Sequence, residues 1–231
     1  MKGSAWCDSV RALPRLPDRE DAVRAAVRAS YHFAWSFVRV ELDGYALDVA
    51  LDYFASGELD DFVRVPVSGP LALELAELLG GRLPTEREVV AIHRAADVKL
   101  AAAPWGSRPT PGLPSSSDPY GAAMLTVERF EAHNALIEVA LAGRCGLVAG
   151  HKKDVLGVRK ARVGDYLVNH HGAVVGETDV LAFCGWFSGA GDAEIQRDDG
   201  AHEPSYADYS HGFRLVRDVH DTTPPTTERS P

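Results

Sequence analysis

The chain has 231 residues and a formal net charge of −9, with 45% hydrophobic and 25% charged residues. This length suffices for one substantial hydrophobic core, and the composition is that of an ordinary globular protein. An acidic chain without a basic cluster argues against nucleic acid as the main partner, because a phosphate-binding surface needs an excess of positive charge.

The cysteines Cys7, Cys145 and Cys184 follow neither a disulfide framework nor a metal-site spacing. The sequence shows no signal-peptide core and no apolar run long enough to span a membrane. We therefore expect a cytoplasmic protein with reduced thiols, no cofactor and no membrane partner. The oligomeric state is left open.

The order of patterns predicts an α+β fold, with helical N-terminal and middle parts packed on a mixed or antiparallel sheet. Residues 1–17 resemble a loose leader that ends in prolines. Residues 18–220 are predicted to form a single α+β domain. The Thr- and Pro-rich residues 221–231 have the composition of a disordered tail.

An amphipathic helix is predicted from residue 18 to residue 31. Two alternating runs, 35–42 and 45–51, flank Asp43-Gly44 and predict a hairpin. A further pair, residues 52–56 and 62–67, extends it to a small antiparallel meander. In this reading several aspartates are solvated edge or turn residues, namely Asp48, Asp52, Asp60 and Asp61.

The middle of the chain is predicted to be helical. Residues 70–79 form one helix, and Thr85 with Glu88 forms a capping box that begins the next, over 89–97. The Pro- and Ser-rich residues 103–120 predict an irregular loop or linker, and a third helix follows over 126–142.

The last third of the chain is strand-like. The predicted strands are residues 147–150, 155–158, 165–168, 173–175, 180–187 and 213–217. Residues 169–172, Asn-His-His-Gly, fit a hairpin turn. Adjacent side chains on a strand point to opposite faces, which argues against a metal site at this histidine pair.

Two short polar segments carry the candidate chemistry. We call residues 150–156 the lysine segment and residues 202–212 the histidine segment. The candidate catalytic residues are Lys152, Lys153, Asp154, Asp208, Ser210 and His211. The candidate substrate-binding residues are His133, Asn134, His151, Trp186, His202, Tyr206 and Tyr209.

These residue types suit acid–base catalysis. A carboxylate such as Asp208 orients an imidazole such as His211, and the imidazole moves a proton. Lys152 or Lys153 supplies a charge for a developing oxyanion or a substrate carboxylate. Ser210 is the available nucleophile if a covalent step exists. The leading hypothesis is a hydrolase or acyl-transfer-type enzyme acting on a small amide or peptide-like substrate.

Two alternatives remain open. In the first, the protein binds a peptide or glycan without catalysis, and Trp186, Tyr206 and Tyr209 stack on the ligand. In the second, the enzyme depends on zinc or iron. Its ligands would be His151, His202, Asp208 and His211. The spacing of these residues matches no standard metal-binding geometry, so we expect no bound metal.

Several sequence motifs occur together in this chain, and they are Leu83-Pro-Thr-Glu, Ala95-Ala-Asp-Val-Lys-Leu-Ala, His133-Asn134, Gly150-His-Lys-Lys-Asp-Val, Gly185-Trp186 and Tyr206-Ala-Asp-Tyr-Ser-His-Gly-Phe-Arg-Leu-Val. Over roughly residues 45–217 this order resembles a family of bacterial proteins of unknown activity, often exported and frequent in Bacteroidetes. The family often has histidine after Gly-Trp, where this chain has Phe187. The resemblance implies no activity, but it implies that the two polar segments belong to one fold.

Overall fold

The computed structural model describes residues 1–13, 16–30, 36–101, 126–160, 179–185, 199–202 and 204–219. The predicted loop 103–120, the strands 165–168 and 173–175, the turn 169–172 and the tail 221–231 lie outside them. The described residues form helices together with several antiparallel and mixed sheets, which confirms the α+β class.

The described helices are α1 (Gly3–Arg11), α2 (Leu16–Arg28), α3 (Gly69–Leu78), α4 (Glu86–Ala95) and α5 (Val127–Leu141). The strands before α5 are β1 (Phe37–Leu42), β2 (Tyr45–Ala50), β3 (Ala55–Glu58), β4 (Asp61–Arg64) and β5 (Val98–Lys99). Those after it are β6 (Val148–Ala149), β7 (Lys153–Lys160), β8 (Asp179–Gly185), β9 (Asp199–His202), β10 (His211–Gly212) and β11 (Val216–Asp218).

Helix α1 corrects the expectation of a loose leader over residues 1–17. It packs on β3 and β4 and buries Trp6, Cys7 and Val10. Gly3 allows close contact, because a Cβ there would lie 2.6 Å from the Phe62 Cα. The apolar side chains recur at helical spacing, so burial of this face stabilises a helix in a segment that otherwise reads as a polar leader.

The predicted hairpin is confirmed. Strands β1 and β2 pair antiparallel, with Leu42 opposite Tyr45 across the turn, and Gly44 has the positive φ of 92° that such a turn requires. The wider meander is wrong. The third strand beside β2 is β11 from the C-terminal part, while β3 and β4 form a sheet of their own.

The predicted capping box at the start of α4 is confirmed. The Thr85 hydroxyl accepts a hydrogen bond from the Glu88 N–H, and the Glu88 carboxylate accepts from the Thr85 N–H, so the capping box is complete. Thr126 caps α5 in a similar way, through the Arg129 N–H. Buried positions recur along α5 at helical spacing and include His133 and Ile137.

A mixed sheet carries both polar segments. Its strand order is β10-β7-β8-β9, with β7 antiparallel to β8 and parallel to β10. Helix α3 packs on β7, so the sheet and the helical layer enclose the largest cluster of buried side chains. Of the predicted strand 213–217, only residues 216 and 217 lie in a strand, because β10 ends at Gly212 and β11 begins at Val216 in another sheet. Among the described helices, none combines the length and apolar character needed to cross a bilayer.

Candidate functional site

The lysine segment and the histidine segment meet at a short parallel ladder. In it His211 lies opposite Lys153 and Gly212 lies opposite Asp154, and the Lys153 N–H donates to the Ser210 carbonyl at 2.8 Å. Directly opposed residues of neighbouring strands project to the same face of a sheet, so the Lys153 and His211 side chains lie side by side. The structure thus brings together the two segments expected to converge.

Both side chains contact Phe183 of β8. The Lys153 Nζ lies 4.8 Å from the Phe183 ring centroid, and the His211 ring centroid lies 5.1 Å from it. An ammonium over an aromatic face is attracted by the quadrupole of the ring. His211 is buried, whereas Lys153 is half-buried. Lys153 is therefore the member of this pair with access to solvent.

Asp208 organises the turn before β10. Its Oδ1 accepts hydrogen bonds from the Ser210 N–H at 2.7 Å and from the Ser210 hydroxyl at 2.6 Å, and its Oδ2 accepts one from the Tyr206 hydroxyl at 3.1 Å. Burial opposes ionisation, but the electrostatic interactions with His211 and Lys153 and the Ser210 hydrogen bonds lower the pKa of Asp208 below its ordinary range. Asp208 is therefore a carboxylate at neutral pH.

The Ser210 hydroxyl donates its hydrogen bond to the Asp208 carboxylate. A serine nucleophile needs a base that takes its proton, and a carboxylate whose pKa is lowered is a weak base. The geometry favours Ser210 as a turn residue that fixes Asp208.

Lys152 precedes β7 and is 2% exposed. Its Nζ donates to the Tyr209 carbonyl at 2.6 Å. Its aliphatic stem passes Gly212, where an added Cβ would lie 2.8 Å from the Lys152 Cδ. Burial, together with the positive charge of Arg64, lowers the pKa of Lys152 to about 7. Its amino group therefore changes charge near neutral pH.

Asp154 belongs to a buried group that fastens the ladder to the neighbouring strands. The Tyr53 hydroxyl donates to Asp154 Oδ2 at 2.7 Å, and Arg214 Nε lies 3.7 Å from Asp154 Oδ1. Arg214 also donates to the carbonyls of Ala50 and Val148, at 2.7 and 2.6 Å. Burial raises the pKa of Asp154 to about 6, against the opposing effect of Arg214. These contacts give Asp154 a structural role.

Asp52 corrects the expectation of a solvated aspartate, since it is 2% exposed. Its Oδ2 accepts from Arg64 Nη2 at 2.6 Å and from Arg64 Nε at 3.0 Å. Its Oδ1 lies 3.0 Å from His151 Nε2. Burial lowers the pKa of His151 to about 4, against the opposing charge of Asp52. At neutral pH the imidazole is neutral, so its Nε2–H donates to the Asp52 carboxylate.

Helix α5 supplies Asn134 and His133. Asn134 Oδ1 accepts from the Arg64 N–H at 3.2 Å and from Arg64 Nη1 at 2.9 Å, and its Nδ2 donates to the Phe62 carbonyl at 3.0 Å. Asn134 therefore holds α5 on β4. Glu138, one turn later, accepts from the same guanidinium at 2.7 Å.

His133 differs from its neighbour. It is 1% exposed, and neither ring nitrogen has a hydrogen-bond partner among the described residues. Its ring meets the Tyr209 ring edge-on, with centroids 5.0 Å apart. Burial and the positive charge of Lys152 lower the pKa of His133 to about 2, so the imidazole is neutral at physiological pH.

The other candidate binding residues have different fates. Tyr209 is buried in the main core, so it offers no stacking surface to a ligand in solvent. Tyr206 is half-buried, and its ring lies edge-on to His211 at 5.7 Å. The backbone of His202 lies opposite Leu181 in β9. Trp186 lies outside the described residues.

Of the alternative metal set, His151 lies against Asp52, whereas His211 begins β10 and Asp208 lies in the turn before it. The side chain of His202 is not among those that the structure describes. In the part of the chain that the structure describes, no group of three His, Cys, Asp or Glu side chains is placed to hold one metal ion.

Four residues of the buried network were not predicted from the sequence: Asp52, Tyr53, Arg64 and Arg214. Arg214 carried a signal, because it stands between the apolar Phe213 and Leu215, and a charged residue inside an apolar run has to be paired when it is buried. Asp52 and Arg64 carried no comparable signal.

Comparisons with known proteins found no family model, no curated protein and no solved structure that matches the chain. The chemistry of the site therefore follows from its own side chains.

Proposed function

We propose that the protein is a hydrolase or acyl-transfer-type enzyme that acts on a small amide or peptide-like substrate by acid–base chemistry. The observation that supports it most is the ladder that places His211 beside Lys153. Asp208 lies three residues before His211, at the start of the turn in which the His211 N–H donates to the Asp208 carbonyl. A proton-transferring imidazole, a cation and an ionised carboxylate are groups that can together catalyse amide cleavage.

His211 is the general base and then the general acid. It takes a proton from water as the water oxygen attacks the amide carbonyl, and the carbonyl oxygen becomes an oxyanion. It then gives the proton to the leaving amine as the C–N bond breaks. In acyl transfer an acceptor amine or alcohol replaces the water. Asp208 stays ionised and stabilises the imidazolium formed between the two steps.

Lys153 stabilises the oxyanion. Its ammonium lies over Phe183 on the same side as His211, and it is half-buried, so a substrate from solvent has access to it. A fixed positive charge beside the developing oxyanion lowers the barrier more effectively in a buried site than in water. Since the Ser210 hydroxyl is bonded to Asp208, direct attack by water is favoured over a serine adduct.

The test is hydrolysis of a panel of N-acyl amino acids, dipeptides and anilides by the purified full chain, from acid to alkaline pH. We expect turnover by the unaltered chain, and we expect the rate of hydrolysis to fall by about 10²–10⁴-fold in His211→Asn and in Lys153→Met. Lys99→Met, which removes an exposed lysine elsewhere, leaves the rate unchanged. The absence of turnover for every substrate at every pH overturns the proposal and favours a binding protein.

A further inference from the structure

Lys152 is a buried cation without a counter-ion in the described part of the chain. Its Nζ donates one hydrogen bond, to the Tyr209 carbonyl, and no carboxylate of the described residues lies within ion-pair distance of it. An ammonium has three N–H donors, so two of them lack a described acceptor. Burying a charge without a partner is costly.

His133 is a second buried group with unused hydrogen-bonding capacity. A neutral imidazole has one N–H donor and one acceptor nitrogen, and neither is satisfied by a described residue. Each unsatisfied buried group of this kind costs about 1–3 kcal/mol. Natural proteins contain few such groups, and each calls for a physical reason.

The two groups are neighbours through Tyr209. The Lys152 Nζ bonds the Tyr209 carbonyl, and the His133 ring lies against the Tyr209 ring. The charge of Lys152 acts on His133 strongly enough to lower its pKa. One unpaired cation and one unpaired imidazole donor therefore lie in the same part of the interior.

The nearby carboxylates are already engaged. Asp52 accepts from Arg64 and lies against His151, and Asp208 accepts twice from Ser210. Neither forms an ion pair with the Lys152 amino group, although both favour its charged form.

We propose that Lys152 and His133 form an anchor for one carboxylate group of the ligand. Lys152 supplies the positive charge and His133 supplies a neutral N–H donor. One ammonium matches the single charge of a carboxylate, whereas a phosphate near neutral pH carries more charge than this anchor balances. This deepens the proposed function, because it names an N-acyl amino acid or a peptide with a free carboxylate as the substrate class.

The anchor makes carboxylate binding depend on pH. Lys152 must be protonated to pair with the carboxylate, and the free protein holds its pKa at about 7. The groups that act on Lys152 are Arg64, which lowers this pKa, and Asp208 and Asp52, which raise it. His133 stays neutral throughout. Affinity for the carboxylate is therefore constant below pH 7 and falls above it.

The test is isothermal titration calorimetry with N-acetylglycine, its uncharged amide N-acetylglycinamide, and inorganic phosphate, on the full chain at matched ionic strength. Near pH 6 we expect the acid to bind at least about tenfold more tightly than the amide, a difference of about 1.4 kcal/mol in binding free energy. We also expect the acid to bind more tightly than phosphate. Above pH 7 the affinity for the acid falls, approaching tenfold per pH unit. The amide shows no such dependence.

Two variants test whether Lys152 and His133 cause the preference for the acid over the amide. In Lys152→Met and in His133→Leu the acid loses its advantage over the amide, whereas the surface control Lys99→Met retains it. If Lys152→Met does not fold, His133→Leu and the pH series on the unaltered chain still decide. The anchor is overturned by equal affinity for acid and amide, by tighter binding of phosphate, by an affinity independent of pH, or by no binding of the acid.

The calorimetry tests the carboxylate anchor, and the hydrolysis assay tests the enzymatic function, so either proposal can fail while the other stands. Selective binding of the acid without turnover keeps the anchor and removes the enzyme. Turnover of amides with no preference for a carboxylate keeps the enzyme and removes the anchor.

Discussion

Arg64 and Asp52 form an ion pair of 2.6 Å in which both side chains are almost fully buried. Arg64 also bonds Asn134 of α5, and Asp52 lies against His151 of the lysine segment. The pair therefore connects β4, α5 and the lysine segment. Its contribution to stability depends on both charges being present.

Arg64→Met leaves the Asp52 carboxylate buried without its main counter-charge. We expect a loss of about 3–5 kcal/mol in the free energy of unfolding, measured by urea denaturation. The matched control is Arg39→Met, which removes an exposed pair with Asp48 at 3.5 Å and costs about 1 kcal/mol or less. A similar small loss in both variants contradicts this role.

Lys152 makes stability depend on pH. Its pKa is about 7 in the folded protein and about 10.4 in an unfolded chain. Below pH 7 both states carry the charge, and the cost of burying it is fully present. Between pH 7 and 10.4 the unfolded state binds more protons, so stability rises with pH.

The comparison is with Lys152→Met, which lacks this group. Relative to the variant, the unaltered chain gains stability above pH 7, with a slope that approaches about 1.4 kcal/mol per pH unit. Urea denaturation of both proteins across this range measures the difference. Parallel stability curves would show that Lys152 keeps an ordinary pKa.

Ser210→Ala separates the two routes of amide cleavage. The Ser210 hydroxyl bonds the buried Asp208 carboxylate at 2.6 Å, so its removal costs about 1.5–3 kcal/mol of stability, the range for a hydrogen bond to a charged group. We expect the rate constant kcat to stay within a few-fold of the unaltered enzyme. A loss of about 10³-fold or more, with the fold intact by circular dichroism, assigns Ser210 as the nucleophile.

Gly212→Ala tests the close contact at the ladder. The added Cβ would lie 2.8 Å from the Lys152 Cδ and 2.9 Å from a Tyr53 ring carbon. Overpacking of this kind costs about 1–3 kcal/mol in thermal or chemical unfolding. Gly44→Asn is the control, because a Cβ at Gly44 meets no atom within 4 Å and asparagine tolerates the turn conformation.

Local signals predicted the local structure well. Asp43-Gly44 predicted the hairpin, and Thr85 with Glu88 predicted the start of α4, because the residues that decide these features lie within a few positions of one another. The helix over α1 was missed since its stability comes from packing Trp6 on distant strands.

For the candidate site too, local features were predictable from the sequence and long-range contacts were not. Each polar segment was visible as a dense run of ionisable residues, and their convergence followed from the hypothesis that they share one fold. The partners of the buried charges were not visible. Asp52 lies far in sequence from His151, and Arg214 is far from Ala50, so no spacing rule relates them.

The parallel ladder that joins the two polar segments is only two residue pairs long, at Lys153–His211 and Asp154–Gly212. The ladder has few backbone hydrogen bonds to break, so we expect this junction to open at a lower free energy than the whole domain unfolds. Native-state hydrogen exchange at the Lys153 amide, which donates to Ser210, reports that local opening. We therefore expect a denaturant concentration that leaves the helices folded to separate His211 from Lys153, so that activity is lost before the domain unfolds.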